Sequence, residues 1–333
     1  MSNTSTSAMI AERLGTIFSR DMPGVRVTDP IRLSGGASQE TWSFDVTGDA
    51  VSLPLILRRS PGGATAKREV AAGLDVEAAV IAVAQASGVP VAPVVHVLSA
   101  ADGLGPGFVS KRIDGETLGH RLVHSPEYAD CRTHLAADLG SILARIHTVP
   151  TAGLDLVTKH PAGLVADAGR QYRAFGTPRP VIDFALAWLS ERVPQAANMG
   201  LVHGDFRVGN FIAGPEGPRA VLDWEGVHIG DPVEDLGWMC VNSWRFGRID
   251  RPAGGIGSRE ELLAGYARVA GWQPALDHVR WWEVYGSLRW CLGCATMAAE
   301  FAAGDRSVER AAIGRRASET ELDILRLIAP RNR

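Results

Sequence analysis

Along the first third of the chain apolar positions come in short runs or alternate with polar ones. From about residue 115 onward they recur every three to four residues. "IRLSGGASQETWSFDV" (31–46) holds two apolar segments joined by small residues, a hairpin pattern, and "VSLPLILRR" (51–59) reads as a further strand. "SPGGATA" (60–66) is a loop, and a helix is expected over 66–87, with Val70, Leu74, Glu77 and Ile81 on one face. "GVPVAPVVHVLS" (88–99) and "GFVSKRID" (107–114) are strand-like, and prolines push the first toward an edge. Residues 1–20 read as a short polar tail and a helix. After the turn at Asp114-Gly115 the period changes: "HLAADLGSILARIHTV" (134–149) and "VIDFALAWLSERV" (181–193) are amphipathic helices, two short strands follow around 200–224, and 232–329 is mainly helical. This is an α+β pattern without internal repeats: a small antiparallel-sheet lobe over 1–110 and a larger, mostly helical lobe over 111–333. The 333 residues suit two lobes better than one core.

Composition narrows the partners. Hydrophobic residues make up 46% and charged residues 21%, and the net charge is −3. Nothing global points to nucleic acid or an anionic membrane. No apolar run is long enough to span a bilayer. "MSNTSTSAMIAERLG" lacks a basic start followed by an apolar core, so the expected location is the cytoplasm. Four cysteines include a C-x-x-C at Cys291 and Cys294. With no second pair to complete a zinc site, and an apolar helical setting, they read as buried core thiols. Only three of the 34 basic residues are lysines (Lys67, Lys111 and Lys159), so a site that requires lysine has few candidates.

The stretch "LVHGDFRVGNFI" (201–212) carries the first candidate chemistry. Asp205 ends a short apolar strand, Asn210 follows five positions later, and Asp223 in "AVLDWE" (220–225) ends another apolar strand. Asp, Gly and Asn are common turn residues, so each alone is accounted for by a turn. Two carboxylates and an amide oxygen at strand ends also make a set of hard oxygen donors suited to Mg²⁺, which binds through one or two carboxylates and substrate phosphates. On that reading Asn210 and Asp223 face the metal and Asp205 faces a hydroxyl. Glu77 interrupts the apolar stripe of its helix, and an inward carboxylate needs a cation.

Taken together, "LVHGDFRVGNFI" and "AVLDWEGVHIGDPVEDLGWM" resemble the aminoglycoside phosphotransferase and choline kinase family, relatives of protein kinases, whose catalytic loop H-R-D-x-x-x-x-N is followed by D-F-G. The resemblance implies a protein-kinase-like two-lobe fold, ATP and Mg²⁺ as cofactors, and a small-molecule hydroxyl as acceptor. Asp205 would be the base, Asn210 and Asp223 the metal ligands, and His203 structural. Asp231 and Asp235 would be loop-bracing carboxylates, although Asp235 also fits a helix cap or an ion pair. Arg207 fits contact with the transferred phosphate as well as a salt bridge to a neighbouring acid. Ser34, Gly35, Gly36 and Ser38 fall where the family has its phosphate-covering turn.

The family usually places a lysine on the next strand; aligning "LILR" with V-A-I-K selects Arg58, a departure that matters at a tight site. Arg at this position is common in the branch associated with acyl-CoA dehydrogenases, which "WWEVYGSLRWCLGCATMAAEFAAG" (281–304) also resembles. Glu77 is the chosen partner for Arg58, with Glu69 as the alternative. Ser110, Lys111 and Ile113 would lie at the adenine-binding hinge. The carboxy-terminal aromatics (Trp238, Trp244, Trp281, Trp282, Tyr285 and Trp290) fit the core better than a cation cage, and no acidic cluster argues for an aminoglycoside. The acceptor implied is a hydroxylated metabolite or hydroxyacyl compound, and the protein a monomer or homodimer. The alternative is a catalytically silent nucleotide-binding or scaffold protein on the same fold, which the Arg58 replacement favours and the intact Asp205, Asn210 and Asp223 oppose. A protein kinase is disfavoured, because no A-P-E-like motif follows Asp223.

Overall fold

The computed structural model describes residues 3–33, 39–49, 51–60, 72–195 and 198–329. The chain divides into two compact units. The first comprises residues 1–115, 152–156 and 219–227, and the second the remaining segments.

The first unit opens with α1 (Asn3–Asp21), β1 (Arg26–Val27), β2 (Ile31–Leu33), β3 (Glu40–Gly48) and β4 (Val51–Arg59). It continues with α2 (Leu74–Ala86), β5 (Val94–Val97) and β6 (Gly107–Lys111). The strands form an antiparallel sheet in the order β1-β3-β4-β6-β5, with β2 also paired to β3. The proline-flanked β5 is at an edge, where a missing N–H costs nothing. One sheet face is dictated by alternation: Trp42, Phe44 and Val46 on β3 and Leu55 and Leu57 on β4 are buried. They pack against Ile10, Leu14, Ile17 and Phe18, which recur at helical spacing on α1. Each such large side chain contributes about 1.5–3 kcal/mol by leaving water.

Helix α2 begins at Leu74, not near residue 66 as the periodicity suggests. Gly73 is its extended N-cap, and Asp75 and Glu77 in the first turn favour a helix start there. Val70 and Glu69 fall outside the described residues.

The second unit contains α3 (Gly119–His124), α4 (Ala129–His147), α5 (Pro161–Ala174), α6 (Pro180–Glu191), β7 (Gly200–Val202) and β8 (Phe211–Gly214). The chain passes back to the first unit within β9 (Gly217–Val221). It then forms β10 (His228–Gly230), α7 (Val233–Met239), α8 (Arg259–Ala270), α9 (Leu276–Ala302), α10 (Val308–Gly314) and α11 (Ala317–Ile328). Helix α9 buries Trp281 through Leu288 without a break. A helix apolar on all sides belongs in the centre of a core, and α7, α10 and α11 pack around it. Its one buried charge, Glu283, is held by Arg245 at 2.7 Å and Arg259 at 2.6 Å. Helices α4 and α8 cross through glycines: a Cβ at Gly140 would overlap the Leu262 carbonyl oxygen, and one at Gly265 the Ala137 carbonyl. All four cysteines are buried free thiols, and burial pushes Cys294 up to about 11. No helix among the described residues is long and apolar enough to cross a membrane.

Candidate active site

In the first unit, β4 sorts its two arginines by face. Arg59 lies on the buried side with Leu55 and Leu57 and pairs with Glu40 at 2.8 Å. Arg58 points the other way and meets three carboxylates. It donates to Asp223 Oδ1 at 2.9 Å and lies 3.7 Å from both Glu77 and Glu225. The Gln39 side-chain carbonyl also accepts from Arg58 Nε at 2.5 Å. Glu77 is fully buried, and among the described residues neither of its oxygens has a hydrogen-bond partner of ordinary length. Burial pushes its carboxyl up; Arg58 opposes this while Asp223 and Glu225 add to it, leaving Glu77 near 7. The same neighbours raise Arg58 against the effect of burial, so it stays charged.

Asp223 has φ 62° and ψ 64°, left-handed backbone that only Asp223 and Phe246 adopt among the described non-glycine residues. Asp tolerates this region better than most residues, at a cost of about 1–2 kcal/mol. Backbone of this kind persists only where its surroundings hold it, and here the Asp223 carboxylate is held by Arg58. Ser110 is buried on β6, while Lys111 at the strand end is exposed and Ile113 beyond it half-buried. Ser34, Gly35, Gly36 and Ser38 lie outside the described residues.

In the second unit, β7 pairs antiparallel with β10 and delivers the chain to residues 203–210. Phe206 and Val208 are buried and anchor the loop, with Phe206 stacked on Phe211 at 6.4 Å. Asp205, Arg207 and Asn210 form one cluster between these anchors. Gly204 (φ 79°) and Gly209 (φ 109°) supply the two reversals that the path needs. Asp205 Oδ1 accepts from Trp238 Nε1 at 2.7 Å and from Arg207 Nε at 3.3 Å. Asn210 Nδ2 donates to Asp205 Oδ2 at 2.6 Å and to its backbone carbonyl at 2.9 Å. Both amide hydrogens of Asn210 are thereby used, which leaves its amide oxygen as the atom for a cation. Arg207 forms the salt bridge to Asp205, with its guanidinium 4.6 Å from the Trp244 ring centroid.

The loop is braced from behind. Fully buried Asp235 accepts the backbone N–H groups of His203 at 2.8 Å and Gly204 at 2.9 Å, and also contacts His147 at 3.1 Å. Burial alone would raise its carboxyl, but the His147 and His203 contacts prevail and lower it. His147 in turn contacts the Tyr266 hydroxyl on α8 at 3.1 Å. Asp231 does not brace this loop. It accepts from Trp282 at 2.8 Å, His278 at 2.6 Å and the Val233 N–H at 3.0 Å, tying the start of α7 to α9.

Sequence reasoning placed Trp238 in the core, where it is indeed buried, and missed its N–H on Asp205. The available signal was spacing: Trp238 lies three residues after Asp235 on α7, so both project from one face.

No group of three or more His, Cys, Asp or Glu among the described residues is arranged to hold a metal. Mg²⁺ does not require one, since substrate phosphates complete its shell. A carboxylate such as that of Asp223 and an amide oxygen such as that of Asn210 are each donors of the kind that ion takes.

The chain belongs to the phosphotransferase enzyme family, whose model matches residues 30–272. It is 28% identical over 257 residues to acyl-CoA dehydrogenase family member 11 of Rattus norvegicus, a match that covers 71% of this chain and 32% of that protein. The chain thus spans about a third or less of the curated relatives it matches. Among solved structures, a putative aminoglycoside phosphotransferase from Ralstonia eutropha JMP134 superposes with TM-score 0.76 at 20% identity, covering 95% of this chain and 97% of that one. A thermostable mutant of aminoglycoside phosphotransferase APH(4)-Ia, in ternary complex with AMP-PNP and hygromycin B, gives TM-score 0.62 at 17% identity, covering 98% and 100%. At these identities the structural matches define the fold: a protein-kinase-like architecture with a small antiparallel-sheet lobe and a helical lobe.

Proposed function

We propose that the protein is an ATP- and Mg²⁺-dependent phosphotransferase that moves the γ-phosphoryl group to a hydroxyl of a small molecule. The observation that carries this reading is the Asp205 carboxylate, gripped on both oxygens yet partly open to solvent, with a side-chain exposure of 23%. A carboxylate serving only a turn needs no such grip. Nucleotide as donor is supported by the AMP-PNP complex of the APH(4)-Ia mutant.

Asp205 is the proposed base. It orients the acceptor hydroxyl and receives its proton as the hydroxyl oxygen bonds to the γ-phosphorus and the bond to the departing ADP oxygen breaks. Phosphoryl transfer asks mainly for positioning and charge neutralisation, which fixed side chains supply. Asn210 and Asp223 are the proposed ligands of Mg²⁺, which when bound neutralises phosphate charge. Arg58, kept charged by Glu77, is proposed to meet the nucleotide phosphates in place of the usual lysine, and Arg207 the transferred group. Ser34, Gly35, Gly36 and Ser38 are proposed to cover the phosphates, and Ser110, Lys111 and Ile113 to border the adenine. The amino-terminal lobe over 1–110 would cover the nucleotide.

The kinship with proteins named acyl-CoA dehydrogenases supports a hydroxylated metabolite or hydroxyacyl compound as acceptor; the proposed location is the cytoplasm. The test is ADP formation from ATP across a panel of hydroxylated metabolites, with and without Mg²⁺. Acceptor-stimulated, Mg²⁺-dependent turnover supports the proposal. Nucleotide binding without turnover would favour the silent-scaffold alternative.

A further inference from the structure

We propose that Trp238 is a positioning residue that fixes the rotamer of Asp205 and, by filling Oδ1, directs proton transfer to Oδ2. The proposal rests on Asp205 being the base, as inferred above.

A carboxylate offers about four lone-pair positions, two on each oxygen. Oδ1 takes two donors, the Trp238 indole N–H at 2.7 Å and Arg207 Nε at 3.3 Å. Oδ2 takes one, Asn210 Nδ2 at 2.6 Å. Among the described residues the unfilled position is therefore on Oδ2. Asp205 is a short, partly exposed side chain on a loop with glycine on one flank. Asn210 and Arg207 belong to the same loop and move with it. Trp238 does not: it stands on α7, buried to 4% exposure. The indole is thus the donor that ties the base to a rigid element.

The indole is itself secured. Its ring centroid lies 5.2 Å from that of Trp244, and the Arg289 guanidinium sits over the ring at 4.6 Å from its centroid. Arg289, on α9, also donates to the Gly204 carbonyl at 2.8 Å. One arginine therefore holds both the loop backbone beside the base and the ring that grips the base. Asp235, one turn before Trp238 on the same helix, accepts the His203 and Gly204 N–H groups. Helix α7 consequently sets the backbone of the loop through Asp235 and the side chain of Asp205 through Trp238.

The experiment pairs Trp238→Phe kinetics with a direct reading of the hydrogen bond. Phenylalanine keeps an aromatic ring and removes the N–H. With ATP, Mg²⁺ and the most active hydroxylated metabolite of the panel, kcat is expected to fall about ten- to hundredfold, the effect of one hydrogen bond to a charged group. KM for ATP should stay within about twofold, because that contact serves the reacting hydroxyl and not nucleotide binding. Separately, ¹⁵N spectra of the nine indole N–H groups identify Trp238 as the resonance absent from Trp238→Phe. In Asp205→Ala that resonance should move upfield strongly and the other indoles far less.

Unchanged kcat in a folded Trp238→Phe, or a Trp238 resonance unmoved by Asp205→Ala, overturns the proposal. Wild-type protein without any turnover would instead count against Asp205 as a base, and the resonance would still decide whether the indole holds it.

Discussion

Replacing Glu77 by glutamine should change the pH dependence of stability more than stability itself. Gln keeps the shape and removes the titration. In the folded protein Glu77 is fully buried, and its carboxyl is raised from 4.5 to about 7, mainly by burial, with Arg58 opposing and Asp223 and Glu225 reinforcing the shift. Between those values the folded protein holds a proton at Glu77 that the unfolded chain has released. Stability contributed by this group is therefore complete below about pH 4.5 and falls as pH rises toward 7. A shift of this size corresponds to about 3 kcal/mol across the window, at 1.36 kcal/mol per unit. The assay is urea unfolding of wild type and Glu77→Gln at roughly pH 5, 6, 7 and 8, with extrapolation to water. The wild-type advantage over the variant should shrink by up to about 3 kcal/mol from the lowest to the highest pH, other groups cancelling in the difference. A difference that stays constant with pH would refute the reasoning, because it would mean that Glu77 ionises as it does in the unfolded chain.

Two scaffold changes test the support of the loop. Asp235→Asn puts an amide NH₂ where an acceptor of the His203 and Gly204 N–H groups stood; the loss of at least one buried bond to a charged group should cost about 1.5–3 kcal/mol and lower kcat, read by thermal melting and turnover. Gly140→Ala drives a methyl into the Leu262 carbonyl at the α4–α8 crossing and should destabilise by about 1–3 kcal/mol, whereas Gly163→Ala, exposed within α5 with nothing near its Cβ, should stabilise by up to about 1 kcal/mol; calorimetric melts that rank these two the other way would contradict the packing account.

Where one residue's environment is set by a local period, the sequence was readable. Alternation along "LILRR" separates Arg58 from Arg59, and the two do lie on opposite faces, one among carboxylates and the other paired with Glu40. The break in an apolar stripe marks Glu77 as inward, which its burial matches. The beginning of α2 was misjudged because apolar spacing continues past Gly73, while an extended glycine N-cap stops the helix at Leu74. Trp238 was opaque for a different reason. A tryptophan at helical spacing looks the same whether its N–H meets a carboxylate or nothing, and its partner lies 33 residues away. Asp231 and Asp235 sit in one short motif and share a residue type, yet they brace different elements; only the positions of their partners in space separate them.

The central claim is that Asp205 is the group that addresses the acceptor hydroxyl. The most direct test is ADP formation by Asp205→Ala against wild type, at saturating ATP and Mg²⁺ with the best acceptor, alongside ATP binding measured by titration calorimetry. The account predicts that turnover falls by about 10²–10⁴-fold, the range for a lost general base, while ATP still binds. Turnover equal to wild type would contradict it.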